Sequence, residues 1–125
     1  MFLDRPYLAY SVHAVAAPSA TEAERLAEAY PRWIAGVLHR GFSDHIGSHD
    51  DVDIARLTDP DRLRGAAGVR IVGEAADVAE RVRAFGDRIG ADEVLVNTIV
   101  ADPVAKARSY AACQALAPPA LTRPA

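Results

Sequence analysis

The sequence has 125 residues, half of them apolar, and a formal net charge of −3. This length suits one domain, and the interspersed charges argue against a nucleic-acid surface, which would need a basic patch. The single cysteine excludes an intramolecular disulfide, and we find neither a signal-peptide pattern nor an apolar run near the ~20 residues of a membrane span. We therefore expect one cytoplasmic domain at 1–117 and a disordered tail at 118–125, with no nucleic-acid or membrane partner.

The first predicted strand covers residues 7–16, where side chains alternate between two faces. Val12 and Ala14 lie on the more apolar face and should pack under helices. Ser11 and His13 lie on the other face, which is less apolar. Ala17-Pro18 should end the strand.

Two helical segments should follow this strand. Ser19 and Glu22 form a capping-box pattern, which predicts a helix that starts near Ala20. Pro31 should kink or break that helix, and a second segment should continue to Gly41. Residues 42–68 are typical of a loop-rich connection.

The second half of the chain alternates strands with helices. Gly90 is typical of a helix stop, and Asp102 before Pro103 is typical of a helix start. Strands that alternate with helices predict a parallel sheet with right-handed crossovers. The predicted strands are 69–72 and 93–99, the predicted helices are 78–89 and 103–116, and the apolar stripe of the first helix is Val78, Val82, Phe85 and Ile89.

The order and spacing of these elements resemble the C-terminal end of the luciferase-like flavin-dependent monooxygenases. The resemblance covers most of residues 6–116, but Glu74-Ala75 stand where the family usually has Thr-Pro or Ser-Pro, and 42–68 does not align. The matching segments are Pro6–Ala17, Thr21–Leu26, Val72-Gly73, Gly90–Glu93 and Arg108–Tyr110. The resemblance implies an α/β fold, a partial (β/α) TIM-type barrel with three parallel strands alternating with helices, as the sixth, seventh and eighth strands.

The resemblance also implies a function. It suggests a truncated luciferase-like monooxygenase, a flavin-dependent oxidoreductase that acts on a small organic substrate with oxygen and uses FMN or a deazaflavin coenzyme. Because a complete barrel needs roughly 250 residues, we expect the chain alone to be weakly active or inactive, with FMN, a deazaflavin or no cofactor bound. The alternative is a non-catalytic module that associates with itself, as a homo-oligomer such as a dimer, or with a partner.

Candidate site residues follow from the rule that barrel chemistry lies at the carboxyl ends of strands. His13 is the catalytic candidate, as a hydrogen-bond donor or a general acid or base, and the alternative is a structural histidine. Ser11 and Asn97 are cofactor-binding candidates on the inner face, although Asn97 at a strand end is also typical of a local turn hydrogen bond.

Gly73 is the third cofactor-binding candidate, because a glycine before a helix can bring backbone N–H groups to a phosphate. Glu74 and Asp77 count against this role, since carboxylates in the first turn repel an anion. We read Glu93 as structural and paired with an arginine such as Arg70.

The segment 43–53 is the most polar part of the sequence. It holds His45 and His49 four residues apart among aspartates, which could bind a divalent metal. Gly47 between them and the surrounding turn residues favour a solvated loop or a lid, so we predict no metal site.

Overall fold

The computed structural model describes residues 4–40, 61 and 68–115. All strands within them are parallel, and they alternate with helices. The predicted fold class is therefore confirmed. In chain order the elements are β1 (Ala9–Ala17), α1 (Ala20–Ala27), α2 (Ala29–Arg40), β2 (Arg70–Glu74), α3 (Ala75–Ile89), β3 (Glu93–Asn97) and α4 (Pro103–Gln114).

Local signals set most helix ends. The Ser19 hydroxyl accepts a hydrogen bond from the Glu22 N–H at 3.2 Å, which caps α1. Asp102 caps α4 by accepting from the Val104 N–H at 2.8 Å. Gly90 ends α3 with φ at 68°, a left-handed conformation that favours glycine. These three predicted ends are confirmed.

The break between α1 and α2 lies at Glu28, and Pro31 does not end the first helix. Instead, Pro31 lies in the first turn of α2. A proline is tolerated there because the N–H groups of a first turn have no partner within the helix.

The order of the strands in the sheet is β2-β1-β3. Consecutive barrel strands are neighbours, so sixth, seventh and eighth strands would give the order β1-β2-β3. In the observed order β1 is central because it pairs with both other strands. Its first half, Ala9–His13, pairs with β3, and its second half, His13–Ala17, pairs with β2. His13 is the residue at which β1 passes from one neighbour to the other.

Helices cover the sheet on both faces. The even-numbered residues of β1, including Val12 and Ala14, pack with Val78 and Val82 of α3, as predicted. The odd-numbered residues Val15 and Ala17 pack on the other face against the buried side chains of α1, which are Ala23, Leu26 and Ala27. The face that carries His13 is therefore covered over the second half of β1 and exposed over the first half.

The buried face of α3 is turned slightly from the predicted stripe. Val78 and Val82 are buried, but Phe85 is half-buried. Its ring packs against that of Tyr10 in a T-shaped arrangement, with 5.3 Å between the ring centroids. Gly86 lies in the buried position instead, directly against Val94 of β3. A glycine is needed here because it lets the helix approach the strand closely.

The predicted pairing of Glu93 with Arg70 is wrong. Glu93 accepts a hydrogen bond from the Tyr7 hydroxyl at 3.2 Å, and Arg70 forms an ion pair with Glu24 of α1 at 3.1 Å. The reason is the strand order, which places Glu93 and Arg70 on strands that lie on opposite sides of β1.

Candidate functional site

His13 lies on the central strand, level with the carboxyl end of β3. Its Nδ1 atom lies 3.1 Å from the backbone oxygen of Asn97, its register partner on β3. A carbonyl oxygen can only accept a hydrogen bond, so Nδ1 carries the proton and donates it. The contact therefore fixes the neutral imidazole in the form that leaves Nε2 with a lone pair.

The Nε2 atom of His13 is buried and has no hydrogen-bond partner among the residues that the structure describes. Burial lowers the pKa of His13 to about 4, the bond to Asn97 opposes this shift, and the positive charge of Arg70 adds to it. At neutral pH the imidazole is thus uncharged. Nε2 can accept a hydrogen bond there, but it is a weak base and has no proton to give as a general acid.

One aromatic ring covers this imidazole, and a second ring stacks on the first. Tyr30 of α2 lies over it with 4.3 Å between ring centroids, and Trp33 stacks on Tyr30 at 6.1 Å. Tyr30 is buried and Trp33 is half-buried. Tyr30 thus contributes to the burial that lowers the pKa of His13. Sequence analysis missed Tyr30, because nothing in the sequence shows that α2 returns over β1.

The side chains of Ser11 and Asn97 are exposed on the same face of the sheet. Ser11 pairs in register with Leu95, and His13 pairs with Asn97. Ser11 and Asn97 are therefore diagonal neighbours on adjacent strands. The Asn97 side chain makes no hydrogen bond to another described residue, while its backbone oxygen holds His13. The structure thus brings Ser11, His13 and Asn97 together, as cofactor binding on this face would require.

Gly73 does not join this group. It lies on the sheet face that packs against α3, where an added Cβ would meet Asp77 at 3.4 Å and Val78 at 3.6 Å. Arg81 occupies the same corner, donating to the backbone oxygen of Val72 at 3.1 Å and to Asp77 at 3.3 Å. The Asp77 carboxylate and the Arg81 guanidinium offset each other's charge at this corner, so the role of Gly73 in phosphate binding stays a prediction.

A buried polar network completes the carboxyl end of β1. β3 ends at Asn97, so the side of β1 beyond His13 has lost its strand partner. The Thr98 hydroxyl donates to the Ala14 oxygen at 2.7 Å, and the Ser109 hydroxyl accepts from the Ala16 N–H at 2.9 Å. These side chains replace the missing strand, because buried backbone groups must be paired.

This network changes the interpretation of Arg108–Tyr110. The sequence of this segment predicts packing and ion pairing on the exterior, yet Ser109 is completely buried and the Tyr110 hydroxyl accepts a hydrogen bond from the Thr98 N–H at 3.1 Å. The sequence gives no clear signal of this burial, since Lys106 lies on the same side of the helix as Ser109. The partner of Ser109 could not be identified without the strand register.

A groove lies on the opposite face of the sheet from His13. It has a volume of about 520 Å³ between α3, β3 and α4 and is lined by Val82, Val94 and Tyr110 among others. Cys113 also lines it, and burial raises the pKa of this thiol, which keeps it protonated at neutral pH. No unpaired buried polar atom faces this groove, so we do not assign the site to it.

The predicted loop with His45 and His49 lies outside the described residues, as do Gly41, most of 42–68 and the tail 118–125. Residues 4–40, 61 and 68–115 contain no group of three metal-ligating side chains. None of the helices in this part of the chain is both long and apolar enough to span a membrane.

Comparison with known proteins gives a match at the level of the fold. No family model and no curated protein matches the sequence. Among solved structures, the chain is similar to the crystal structure of apo-MsnO8, with a TM-score of 0.61 and 24% sequence identity. The match covers 90% of this chain and 36% of that one, so the chain spans about a third of the length of MsnO8. At this identity the similarity shows a shared fold.

Proposed function

We propose that this chain forms part of a (β/α) barrel of the luciferase-like monooxygenase class, in which His13 accepts a hydrogen bond from a small organic substrate. The sequence resemblance and the fold shared with MsnO8, a luciferase-like monooxygenase, support this class. The observation that carries the proposal is the unpartnered Nε2 of His13, buried where β3 ends. Ligands of such barrels bind at the carboxyl ends of the strands.

The strand order refines this assignment. Because β1 and β3 are adjacent and parallel, we assign them to neighbouring barrel strands. In this assignment α3 is the crossover helix, which packs with α4 on the outer face. The helices α1 and α2 then form an insertion ahead of α3, with Tyr30 of α2 covering His13 from the inner face, and β2 pairs with the other edge of β1.

The described residues do not fit a complete flavin. Ser11 and Asn97 offer polar side chains on one face, but Gly73 lies on the other, beside a carboxylate. A flavin needs partners for its ring and its phosphate, and ligand sites bury most of the ligand surface. The chain therefore supplies one wall of such a site, and in the proposal other parts of a barrel supply the rest.

Titration with FMN tests this proposal. We expect fluorescence quenching with a dissociation constant weaker than about 100 μM, or about −5.5 kcal/mol, because few contacts offset the entropic cost of binding. Replacing both Ser11 and Asn97 by alanine should weaken binding by at least about threefold, or roughly 0.7 kcal/mol, since two hydrogen bonds are lost.

The control is Gln114→Ala, an exposed change on α4 that should leave the titration unchanged. Equal binding by the control and the double variant would contradict a flavin site on this face. Binding at low micromolar concentration would contradict the incomplete site and would favour an active enzyme.

A second candidate function is self-association. Tyr7 and Leu95 are 54% and 50% exposed on the same face of the sheet, and both outer strands have open edges in the described structure. Exposed edges and apolar patches favour pairing with another chain. This surface is the candidate interface of a homodimer with two-fold symmetry.

Light scattering distinguishes this candidate. We expect a dimer at micromolar concentration, and Leu95→Lys should convert it to a monomer by placing a charge in the interface. Val104→Lys is the matched control, because Val104 is 58% exposed on α4 and should not affect the mass. A monomeric wild-type chain would exclude this function.

A further inference from the structure

One peptide group is hydrogen-bonded at both ends beside the candidate site. The carbonyl oxygen of Asn97 accepts from His13 Nδ1 at 3.1 Å. The N–H of the same peptide, which belongs to Thr98, donates to the Tyr110 hydroxyl at 3.1 Å. His13 and Tyr110 are thus connected through a single planar unit, although one lies on β1 and the other on α4.

This connection bears on which nitrogen of the imidazole carries the proton. β3 ends at Asn97, so regular strand pairing no longer holds the peptide that follows. Tyr110 takes over this role. A peptide whose N–H is already bonded is a stronger acceptor at its oxygen, because hydrogen bonds in a chain polarise one another. The Tyr110 hydroxyl therefore both orients the Asn97 carbonyl and strengthens its bond to Nδ1.

Ser109, the neighbour of Tyr110, has a different task. Its hydroxyl accepts from the backbone of β1 at Ala16 and lies 3.4 Å from the Thr98 hydroxyl. It makes no bond to the peptide between Asn97 and Thr98. Loss of the Ser109 hydroxyl should weaken the same end of the sheet without releasing the carbonyl that holds His13, which makes it a matched comparison.

We infer that Tyr110 is a positioning residue for His13: through the Asn97–Thr98 peptide it keeps the proton on Nδ1 and leaves Nε2 as a lone pair for a ligand O–H or N–H donor. This inference rests on the proposed function, in which Nε2 accepts a hydrogen bond from a ligand. It narrows the ligand class, since a group that can only accept hydrogen bonds would find no donor there.

The test is Tyr110→Phe, which removes the hydroxyl and keeps the ring. In ¹⁵N-labelled protein without flavin, long-range ¹H–¹⁵N spectra report which imidazole nitrogen carries the proton. We expect wild-type His13 to be protonated at Nδ1. In Tyr110→Phe the ratio of Nδ1–H to Nε2–H should fall by about fivefold, the equivalent of about 1 kcal/mol for one hydrogen bond.

The control is Ser109→Ala, which should lower the melting temperature and leave that ratio unchanged. An unchanged ratio in a folded Tyr110→Phe variant would overturn the inference and leave Tyr110 with a structural role. The proposed function would be unaffected by this result, because the FMN titration tests it separately.

A measurement on the wild-type chain covers the case in which Tyr110→Phe does not fold. If Tyr110 holds the peptide, the Thr98 amide should exchange its hydrogen about as slowly as the amide of Val12 in the centre of the sheet. Exchange of Thr98 that is a hundredfold faster than that of Val12 would overturn the inference.

Discussion

Replacement of Gly86 by valine should lower the free energy of unfolding by about 2–4 kcal/mol, a large part of the stability of a domain of this size. A Cβ at this position would lie 2.8 Å from a methyl carbon of Val94, closer than real contacts allow. Valine is a better helix former than glycine by a few tenths of a kcal/mol, but the clash is larger than this gain. Urea unfolding measures the change.

The control for this variant is Ala84→Val on the exposed side of the same helix. It introduces the same side chain without a packing clash and should cost about 0.6 kcal/mol through helix propensity alone. If both variants lost the same stability, or if Gly86→Val lost less than about 0.5 kcal/mol, the close approach of α3 and β3 would be contradicted.

Acidification should destabilise the protein through His13. The pKa of His13 is about 4 in the folded chain, below its ordinary value of 6.5, so the unfolded chain binds more protons between these values. The contribution of neutral His13 to the free energy of unfolding is therefore fully present above pH 6.5 and is lost as the pH falls towards 4. Allowing for partial solvent screening, we expect a loss of about 1–1.5 kcal/mol between pH 7 and pH 5.

The variant His13→Leu isolates this effect, because the other titratable groups of the chain are unchanged. Its free energy of unfolding should depend on pH less steeply than that of the wild type over the same range. Parallel curves for the two proteins would show that His13 does not titrate on unfolding, and they would contradict its burial as a neutral base.

Sequence alone predicted the features that depend on near neighbours. The caps at Ser19 and Asp102 and the stop at Gly90 each involve residues within four positions of one another. The period of two along β1 also placed Ser11 and His13 on one face correctly. The exception was Pro31, whose position in a first turn instead of at a helix end depended on where α2 begins.

Features that depend on distant residues could not be predicted in the same way. The order of the strands, the separation of Glu93 from Arg70 and the inward position of Ser109 all follow from which strand lies beside β1. In the candidate site, Gly73 and Asn97 lie on opposite faces of the sheet. The face on which a residue lies relative to a neighbouring strand depends on the strand register, and this register is set between residues about 60–80 positions apart.

The pH titration of the His13 imidazole by NMR tests the central claim most directly, with His13→Leu used to assign its signal. If His13 is a buried neutral base with its lone pair at Nε2, its chemical shifts should stay constant from pH 8 to about pH 5 and should titrate with a pKa of about 4. A pKa near the ordinary value of 6.5 would contradict the account, because it would show that the imidazole is exposed to water and that Nε2 is not held buried and free for a ligand.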